Sequence, residues 1–178
     1  MDETKDKQPV SCEEMLVASR LETRDAFENR AQMYWYIYDE MSAAVGAERA
    51  TTIMKQAVFR RGLEVGRKYA AAAESGDLAA VGAIFCDGSP SKGALFTPGV
   101  EAMEDGRLVL RMESCPLVDA WRKLGLTPEQ VDRMCDISAA VDEGTFAGAG
   151  LSLTFLDRLG MAGSCRCLLE LKLPVTDE

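Results

Sequence analysis

The chain has 178 residues, with 29 acidic and 20 basic side chains and a net charge of −9. This length predicts one domain, and such a domain buries roughly 70% of the surface of its unfolded chain, so its core needs neither disulfides nor a metal. The acidic balance argues against a nucleic-acid partner. No apolar run approaches the ~20 residues that span a bilayer, and the polar, acidic start is unlike a signal peptide, which together predict a cytoplasmic protein without a membrane segment.

The absence of histidine restricts the chemistry that this chain can perform. Ser-His-Asp and Cys-His arrangements are excluded, and so are zinc sites that use histidine. Any general acid–base catalysis must therefore use Asp, Glu, Cys, Lys or Tyr. The six cysteines are sparse for a disulfide scaffold, so we expect them to be free thiols.

The N-terminal half is predicted to be helical after a disordered tail at residues 1–10. Ser11 is a candidate N-cap, because acidic residues follow it in the first turn of a helix that continues to about residue 44. Further helical segments are predicted over 47–73 and 77–86. The single domain is therefore expected to begin at residue 11 and to extend to residue 178.

A stripe of methionine and aromatic residues marks the first helix. Tyr34 and Tyr38 belong to it, at the spacing of a core-facing helix surface. If the protein binds a flat organic ligand, Tyr34, Trp35 and Tyr38 are the natural lining of its site. In the next helix, Gly62-x-x-x-Gly66 predicts either a close helix crossing or room for a ligand.

A small antiparallel sheet is predicted to follow a flexible loop at residues 87–93. Asp105-Gly106 has the composition of a tight hairpin turn, between strands at 99–103 and 107–113. Apolar residues alternate with polar ones in the second strand, which indicates one buried and one solvated face.

Two helices are predicted between this hairpin and the next. Cys115-Pro116 ends the strand and opens the first helix, which stops at Gly125. A capping box at 127–130 opens the second helix, which carries Cys135 on its inner face and is predicted to end near Glu143.

The last 28 residues contain the clearest strand signals. Alternating segments at 151–155 and 165–173 flank a glycine-rich turn at 160–163. The alternation predicts that Cys165 and Cys167 point the same way, towards the covering helices. The sequence thus predicts an α+β domain, with a helical N-terminal half packed on a small antiparallel sheet built from two hairpins separated by two helices, the sheet and its helices covering residues 94–173.

Cysteines distant along the chain are predicted to converge. Cys115, Cys135 and Cys167 would meet where helix, hairpin and terminal strand join, and a nucleophilic thiol there needs a depressed pKa. Cys115 begins a helix, where backbone amides favour a thiolate. A zinc site of Cys115, Cys135, Cys165 and Cys167 is the alternative, but the spacing is not that of a zinc knuckle, and buried thiols commonly behave as small apolar groups. We therefore expect no metal and no cofactor.

These landmarks together resemble the L-2-amino-thiazoline-4-carboxylic acid hydrolase family. The resemblance rests on Cys115-Pro116, the helix stop at Gly125, Cys135, Glu143-Gly144, and a Gly-x-x-x-Cys from Gly163 to Cys167. More distantly, the order of hairpin, helices and cysteine-bearing strand is similar to that of vinyl-reductase-type small-molecule-binding domains. The resemblance covers about the last 75 residues.

The resemblance implies hydrolysis of a small cyclic amidine-like acid such as 2-amino-thiazoline-4-carboxylate, with opening of the carbon–sulfur bond. Cys115 or Cys135 would be the nucleophile and Glu143 the base, although a solvated helix end is the plainer interpretation of Glu143. Arg111 or Arg166 could hold the substrate carboxylate, but the alternation turns both towards solvent.

The alternative function is a non-catalytic small-molecule-binding or sensor domain of the vinyl-reductase-like type, with a homodimer as one arrangement. In either case Cys167 would contact the ligand. An enclosed pocket that contains a thiol and a carboxylate favours the enzyme, whereas a wholly apolar pocket favours the sensor.

Overall fold

The computed structural model describes residues 11–174 and consists of helices packed against a four-stranded sheet. The predicted α+β class, with its helical N-terminal half, is confirmed. The tail predicted at residues 1–10 lies outside the described residues. Among the helices of residues 11–174, none combines the length and the apolar character needed to cross a membrane.

The N-terminal half contains α1 (Cys12–Val45), α2 (Ala47–Gly66), α3 (Ala70–Glu74) and α4 (Leu78–Asp87). Ser11 caps α1 as predicted: its hydroxyl accepts the amide of Glu14, and the Glu14 carboxylate accepts the amide of Ser11 at 2.8 Å. The helix predicted over 47–73 is two helices, because the chain turns at residues 67–69. Part of the predicted loop forms a short 3₁₀ turn, Pro90–Gly93.

The sheet consists of β1 (Pro98–Glu104), β2 (Arg107–Met112), β3 (Ser152–Asp157) and β4 (Cys167–Lys172). It is antiparallel throughout, in the order β1-β2-β4-β3. The two predicted hairpins therefore lie side by side, and the central strands β2 and β4 pair Leu108 with Leu171 and Leu110 with Leu169. All four leucines are fully buried, in the core between the sheet and the helices.

Two helices, α5 (Pro116–Lys123) and α6 (Pro128–Gly148), connect the hairpins. The capping box of α6 is present as predicted, with the Thr127 hydroxyl accepting the Gln130 amide. The predicted end of α6 near Glu143 is wrong, because the helix continues to Gly148 and the chain turns away only at Gly150, where φ is +82°. Glu143 therefore lies within a helix and not at its carboxyl end.

Glycines allow α2 and α6 to cross in close contact, as the Gly62-x-x-x-Gly66 spacing predicted. A methyl group added at Gly62 would overlap the carbonyl oxygen of Val141, and one added at Gly144 would overlap that of Phe59. Since the atoms in the way belong to backbone, neither glycine can be enlarged without moving a helix.

The strand β4 begins two residues later than predicted. The Ser164 hydroxyl donates to the carbonyl of Arg166 at 2.8 Å and accepts the Arg166 amide, which holds a turn where the alternation predicted strand. Cys165 is consequently exposed and Cys167 is buried. The prediction that both face the helices is wrong for Cys165.

Candidate functional site

A cavity of about 220 Å³ lies between the helices and the sheet. Its lining is mostly aromatic and aliphatic, with contributions from Phe27, Tyr69, Phe85, Phe96, Met112, Leu117 and Phe155. This volume is below the about 300–1,000 Å³ of sites that hold drug-sized molecules. The cavity therefore suits a ligand of metabolite size.

Three thiols from separate elements line this cavity. Cys115 immediately precedes α5, Cys135 lies in α6, and Cys167 is the first residue of β4. The Cys167 sulfur accepts the backbone amide of Leu159 at 3.3 Å. Beside Cys135 the chain passes so closely at Gly160 that an added methyl carbon would come within 2.7 Å of the sulfur. The structure thus brings together the three cysteines for which sequence predicted convergence.

Burial keeps these thiols protonated. It raises the pKa of Cys115 to about 12, although backbone amides of Val118 and Leu117 at the start of α5 act in the opposite direction. The pKa of Cys167 is also raised to about 12, and that of Cys135 is raised, in both cases mainly by burial. The predicted activation of Cys115 by its helix is outweighed, because desolvation penalises the thiolate more than two amides stabilise it.

Asp142 supplies a carboxyl group to the same cavity. It is half-buried, and desolvation, followed by the neighbouring Glu143 carboxylate, raises its pKa to about 7. Tyr69 also faces the cavity, and burial, then the Asp142 carboxylate, raises the pKa of its hydroxyl to about 12. Near neutral pH the site therefore contains a carboxyl group that can both accept and release a proton, beside hydroxyl and thiol donors.

Glu143, the predicted base, lies outside this cavity. It lines a groove between α2 and α6 with Ile53, Phe59 and Leu63, where its carboxylate is 3.8 Å from Nζ of Lys55. The structure does not bring Glu143 to the thiols, because a helix turns by about 100° for each residue and thus directs neighbours to different faces.

The aromatic residues predicted from α1 do not line the cavity either. Tyr38 is buried in the core, and Tyr34 and Trp35 are partly buried against it. Trp35 and Tyr38 contact each other with ring centroids 6.0 Å apart. This arrangement matches the alternative of a core-facing stripe and gives these residues no place beside the thiols.

Arg158 also lines the cavity, and it forms ion pairs with two carboxylates. Its guanidinium donates to Asp136 at 2.7 Å and to Asp132 at 3.2 Å, and Lys55 also contacts Asp136 at 3.1 Å. Because the Arg158 guanidinium donates to two carboxylates, its positive charge is largely neutralised within the protein.

Arg111 and Arg166, the cations suggested from the sequence, lie on the outer face of the sheet. Arg111 contacts Glu101 at 3.5 Å and Arg166 contacts the same carboxylate at 3.0 Å. Neither lines the cavity.

The four cysteines considered for zinc are not assembled. Cys165 is exposed and does not line the cavity, and within residues 11–174 no group of three or more Cys, Asp or Glu side chains has the arrangement of a metal site. The structure therefore offers no four-cysteine zinc centre in the part of the chain that it describes.

Sequence reasoning missed Asp142 although a signal for it was present. Cys135, Ala139 and Asp142 are spaced by four and three residues, which puts them on one face of a helix, and all three line the cavity. The signal was overlooked because the family resemblance directed attention to Glu143-Gly144. The carboxylate that shares the helix face of Cys135 is Asp142.

The sequence model of the L-2-amino-thiazoline-4-carboxylic acid hydrolase family matches residues 26–167, which is most of the chain and includes all three cavity thiols and Asp142. A comparison with curated proteins gave no match. The extent of the family match shows that this chain belongs to the L-2-amino-thiazoline-4-carboxylic acid hydrolase family.

Proposed function

We propose that this protein is a hydrolase that opens the ring of a small cyclic amidine-like acid of the 2-amino-thiazoline-4-carboxylate type. Membership of the family supports the class of reaction. The observation that carries the proposal is the Asp142 carboxyl group, with a pKa of about 7, in a small cavity with three thiols. Such a group suits a general base that works near neutral pH.

In the proposed reaction, the Asp142 carboxylate takes a proton from a water molecule as the water oxygen attacks the ring carbon between sulfur and nitrogen. The π electrons of the carbon–nitrogen bond move to the ring nitrogen, which receives that proton. The carbon–sulfur bond then breaks with its electron pair on sulfur, while the new hydroxyl proton passes through Asp142 to sulfur. One water is added in total, and the product is an open-chain urea that carries a carboxylate and a free thiol.

Attack by water is favoured over initial attack by cysteine because of the protonation of the thiols. For Cys115, whose pKa is about 12, only roughly one molecule in 10⁵ would be a thiolate at pH 7. In this proposal Cys115 and Cys135 shape the cavity, and Cys167 contacts the ligand. Replacement of Cys115 or Cys135 by alanine tests the covalent route, because loss of a nucleophile would abolish turnover, whereas loss of a wall residue would reduce it by about tenfold or less.

The direct test is incubation with 2-amino-thiazoline-4-carboxylate, followed by titration of new thiol groups and by mass spectrometry for the addition of one water. We expect turnover to rise about tenfold per pH unit at low pH and to level off above about pH 7, where Asp142 is ionised. Absence of a product above the protein-free reaction would contradict the proposed function.

A second candidate is a non-catalytic small-molecule-binding domain, and the neutral thiols in a mostly apolar lining favour it. The same substrate distinguishes the two, since a sensor would bind it without releasing the open-chain thiol. Native mass spectrometry of the full chain would identify a retained metabolite and would also test the homodimer, which stays a prediction.

A further inference from the structure

Two cations lie at the rim of the cavity, and the proposed chemistry does not use them. Arg30 of α1 and Lys68, which follows α2, both line the cavity and are exposed to solvent. Neither forms an ion pair with another residue of the described chain, 11–174. They differ in this from Arg158, which two aspartates neutralise.

Aromatic rings hold both cations at the rim. The guanidinium carbon of Arg30 lies 4.8 Å from the centroid of the Phe27 ring, and Nζ of Lys68 lies 4.9 Å from that of the Tyr69 ring. Phe27 and Tyr69 themselves line the cavity. A cation–π contact at an exposed site orients a charge but is weaker than a charge-assisted hydrogen bond to a carboxylate, so each cation remains available to an anionic ligand.

The surroundings of Arg30 and Lys68 favour one class of ligand. The chain has a net charge of −9, and apart from the pair the cavity lining is apolar except for Tyr69, Ser89, Ser138, Asp142, Arg158 and the thiols. An anion that entered the cavity fully would meet the acidic Asp142, whereas an anion that stayed at the rim would meet Arg30 and Lys68. A ligand with one carboxylate and one small, largely apolar ring satisfies both regions.

We propose that Arg30 and Lys68 form a carboxylate-binding site at the rim, which orients a small ring-containing acid with its ring towards Asp142 and the thiols. The identity of the ring rests on the proposed function, but the selection of a carboxylate does not. The two residues are positioning residues, because they act on the end of the ligand that does not react.

The test uses two ligands that cannot undergo the reaction. Thiazolidine-4-carboxylate lacks the amidine carbon, and thiazolidine-4-carboxamide is a neutral ligand of nearly the same shape. Binding of each to the full chain is measured by isothermal titration calorimetry. The variants are Arg30→Met, Lys68→Met and the double variant, because methionine keeps an apolar stem beside Phe27 and Tyr69 while it removes the charge.

Matched controls remove comparable charges elsewhere. Arg67→Met changes the exposed neighbour of Lys68, and Arg20→Met changes an exposed cation of α1; neither residue lines the cavity. All of these side chains are exposed, so the variants are expected to fold, and circular dichroism with thermal unfolding verifies this.

We expect the unchanged protein to bind the carboxylate at least about tenfold more tightly than the carboxamide. Each single rim variant should lower this preference by about threefold to tenfold, and the double variant should abolish it with little change in carboxamide affinity. The control variants Arg67→Met and Arg20→Met should keep the preference for the carboxylate. Equal binding of the two ligands by the unchanged protein, a preference that survives in the double variant, or no binding of the carboxylate would each overturn the proposal.

The outcome for the rim site and the outcome for the proposed function are separable. Carboxylate-selective binding that depends on the two cations, without turnover of the thiazoline, would support the rim site and contradict the hydrolase. Turnover that is insensitive to both rim variants, in KM as well as kcat, would support the hydrolase and contradict the rim site. If both hold, the rim variants should raise KM and leave kcat within about twofold.

Discussion

Two neighbouring residues of α6 belong to different regions of the molecule. Asp142 faces the thiol-lined cavity, where burial raises its pKa to about 7. Glu143 lines the groove between α2 and α6, its side chain is 38% exposed, and its carboxylate lies 3.8 Å from Lys55. The comparison shows that the helix face decides whether a carboxylate is solvated and paired or desolvated and titrating near neutral pH.

The close crossing of α2 and α6 determines which face of α6 lines the groove and which lines the cavity. Gly144 contacts the backbone of α2 at Phe59, so the residue before Gly144 opens onto the groove and the one before that opens onto the cavity. A bulkier residue at the crossing would separate or rotate the helices. The division between cavity and groove therefore depends on glycine as well as on the two acids.

The largest expected effect is on turnover of 2-amino-thiazoline-4-carboxylate. Asp142→Asn removes the proposed base, and we expect a loss of at least about 100-fold in kcat/KM. Glu143→Gln is the matched control one residue away, and it should retain activity within about twofold. Steady-state rates of thiol release provide the measurement, and similar losses in the two variants would refute the assignment of the base to Asp142.

The next effect concerns the helix crossing. Gly144→Ala should lower the free energy of unfolding by about 3 kcal/mol, because its methyl group would collide with the carbonyl oxygen of Phe59. Gly82→Ala in α4 is the control: the nearest atom to its added carbon is a side-chain methyl group of Val100 at 3.3 Å, which can shift. Its stability should change by less than about 1 kcal/mol, because better helix propensity offsets the contact.

Urea denaturation measures both glycine variants. A smaller loss for Gly144→Ala than for Gly82→Ala would mean that the two helices can separate without cost. It would also show that the crossing does not hold Asp142 and Glu143 on their separate faces.

The difference in stability between the Asp142→Asn variant and the unchanged protein should depend on pH in a defined direction. In the folded chain the Asp142 carboxyl binds its proton more tightly than the ordinary value of 3.8 implies, so stability falls as pH rises from about 4 to about 7 and is then constant. The upper bound on this loss is about 4 kcal/mol. Asparagine carries no charge to desolvate, so the variant should gain stability over the unchanged protein at pH 8 and show no such gain at pH 4.

Thermal unfolding at several pH values measures this difference, with Glu143→Gln as the reference. We expect the Asp142→Asn variant to be more stable at pH 8 and inactive, because the desolvated carboxylate lowers stability but is needed for turnover. If Asp142→Asn is equally destabilised at pH 4 and pH 8, then the Asp142 carboxyl is not desolvated in the folded protein.

The smallest effect is expected in the groove. Lys55→Met removes the contacts with Asp136 at 3.1 Å and Glu143 at 3.8 Å, where the lysine side chain is 30% exposed. Ion pairs of this exposure contribute less than about 1 kcal/mol, and the difference should shrink further at high salt. Denaturation at two ionic strengths measures the change in the free energy of unfolding. A loss above about 2 kcal/mol would show that the ion pairs of Lys55 stabilise the fold more than exposed ion pairs do.

The fold was predictable where hydrogen bonding and periodicity act locally. Ser11 and the box at Thr127 and Gln130 satisfy the first amides of their own helices, and Asp105-Gly106 needs only its own backbone angles to form a turn. The turn at Ser164 was missed because a single hydroxyl competes there with the strand ladder, and alternation of side chains carries no information about that competition.

The candidate site was predictable only in part. Helical spacing directed Cys135 inwards, alternation directed Cys167 inwards, and Cys115 was placed at the start of a helix; the structure places all three at one cavity. Their protonation was not predictable, since the start of α5 argued for a thiolate at Cys115 and burial by distant elements reverses that effect. Tyr34, Trp35 and Tyr38 had the composition of a ligand site, but they pack against the core.

The sequence by itself determined most of the helices and strands, the caps at Ser11 and Thr127, and the inward faces of Cys135 and Cys167, because neighbours within a few residues supply those interactions. Helical spacing also places Asp142 on the face of Cys135, but only the tertiary structure decided that this face lines the cavity and that the thiols stay protonated. Desolvation is the physical reason, since it is the sum of what every packed element removes from a group's water, and no local pattern contains that sum.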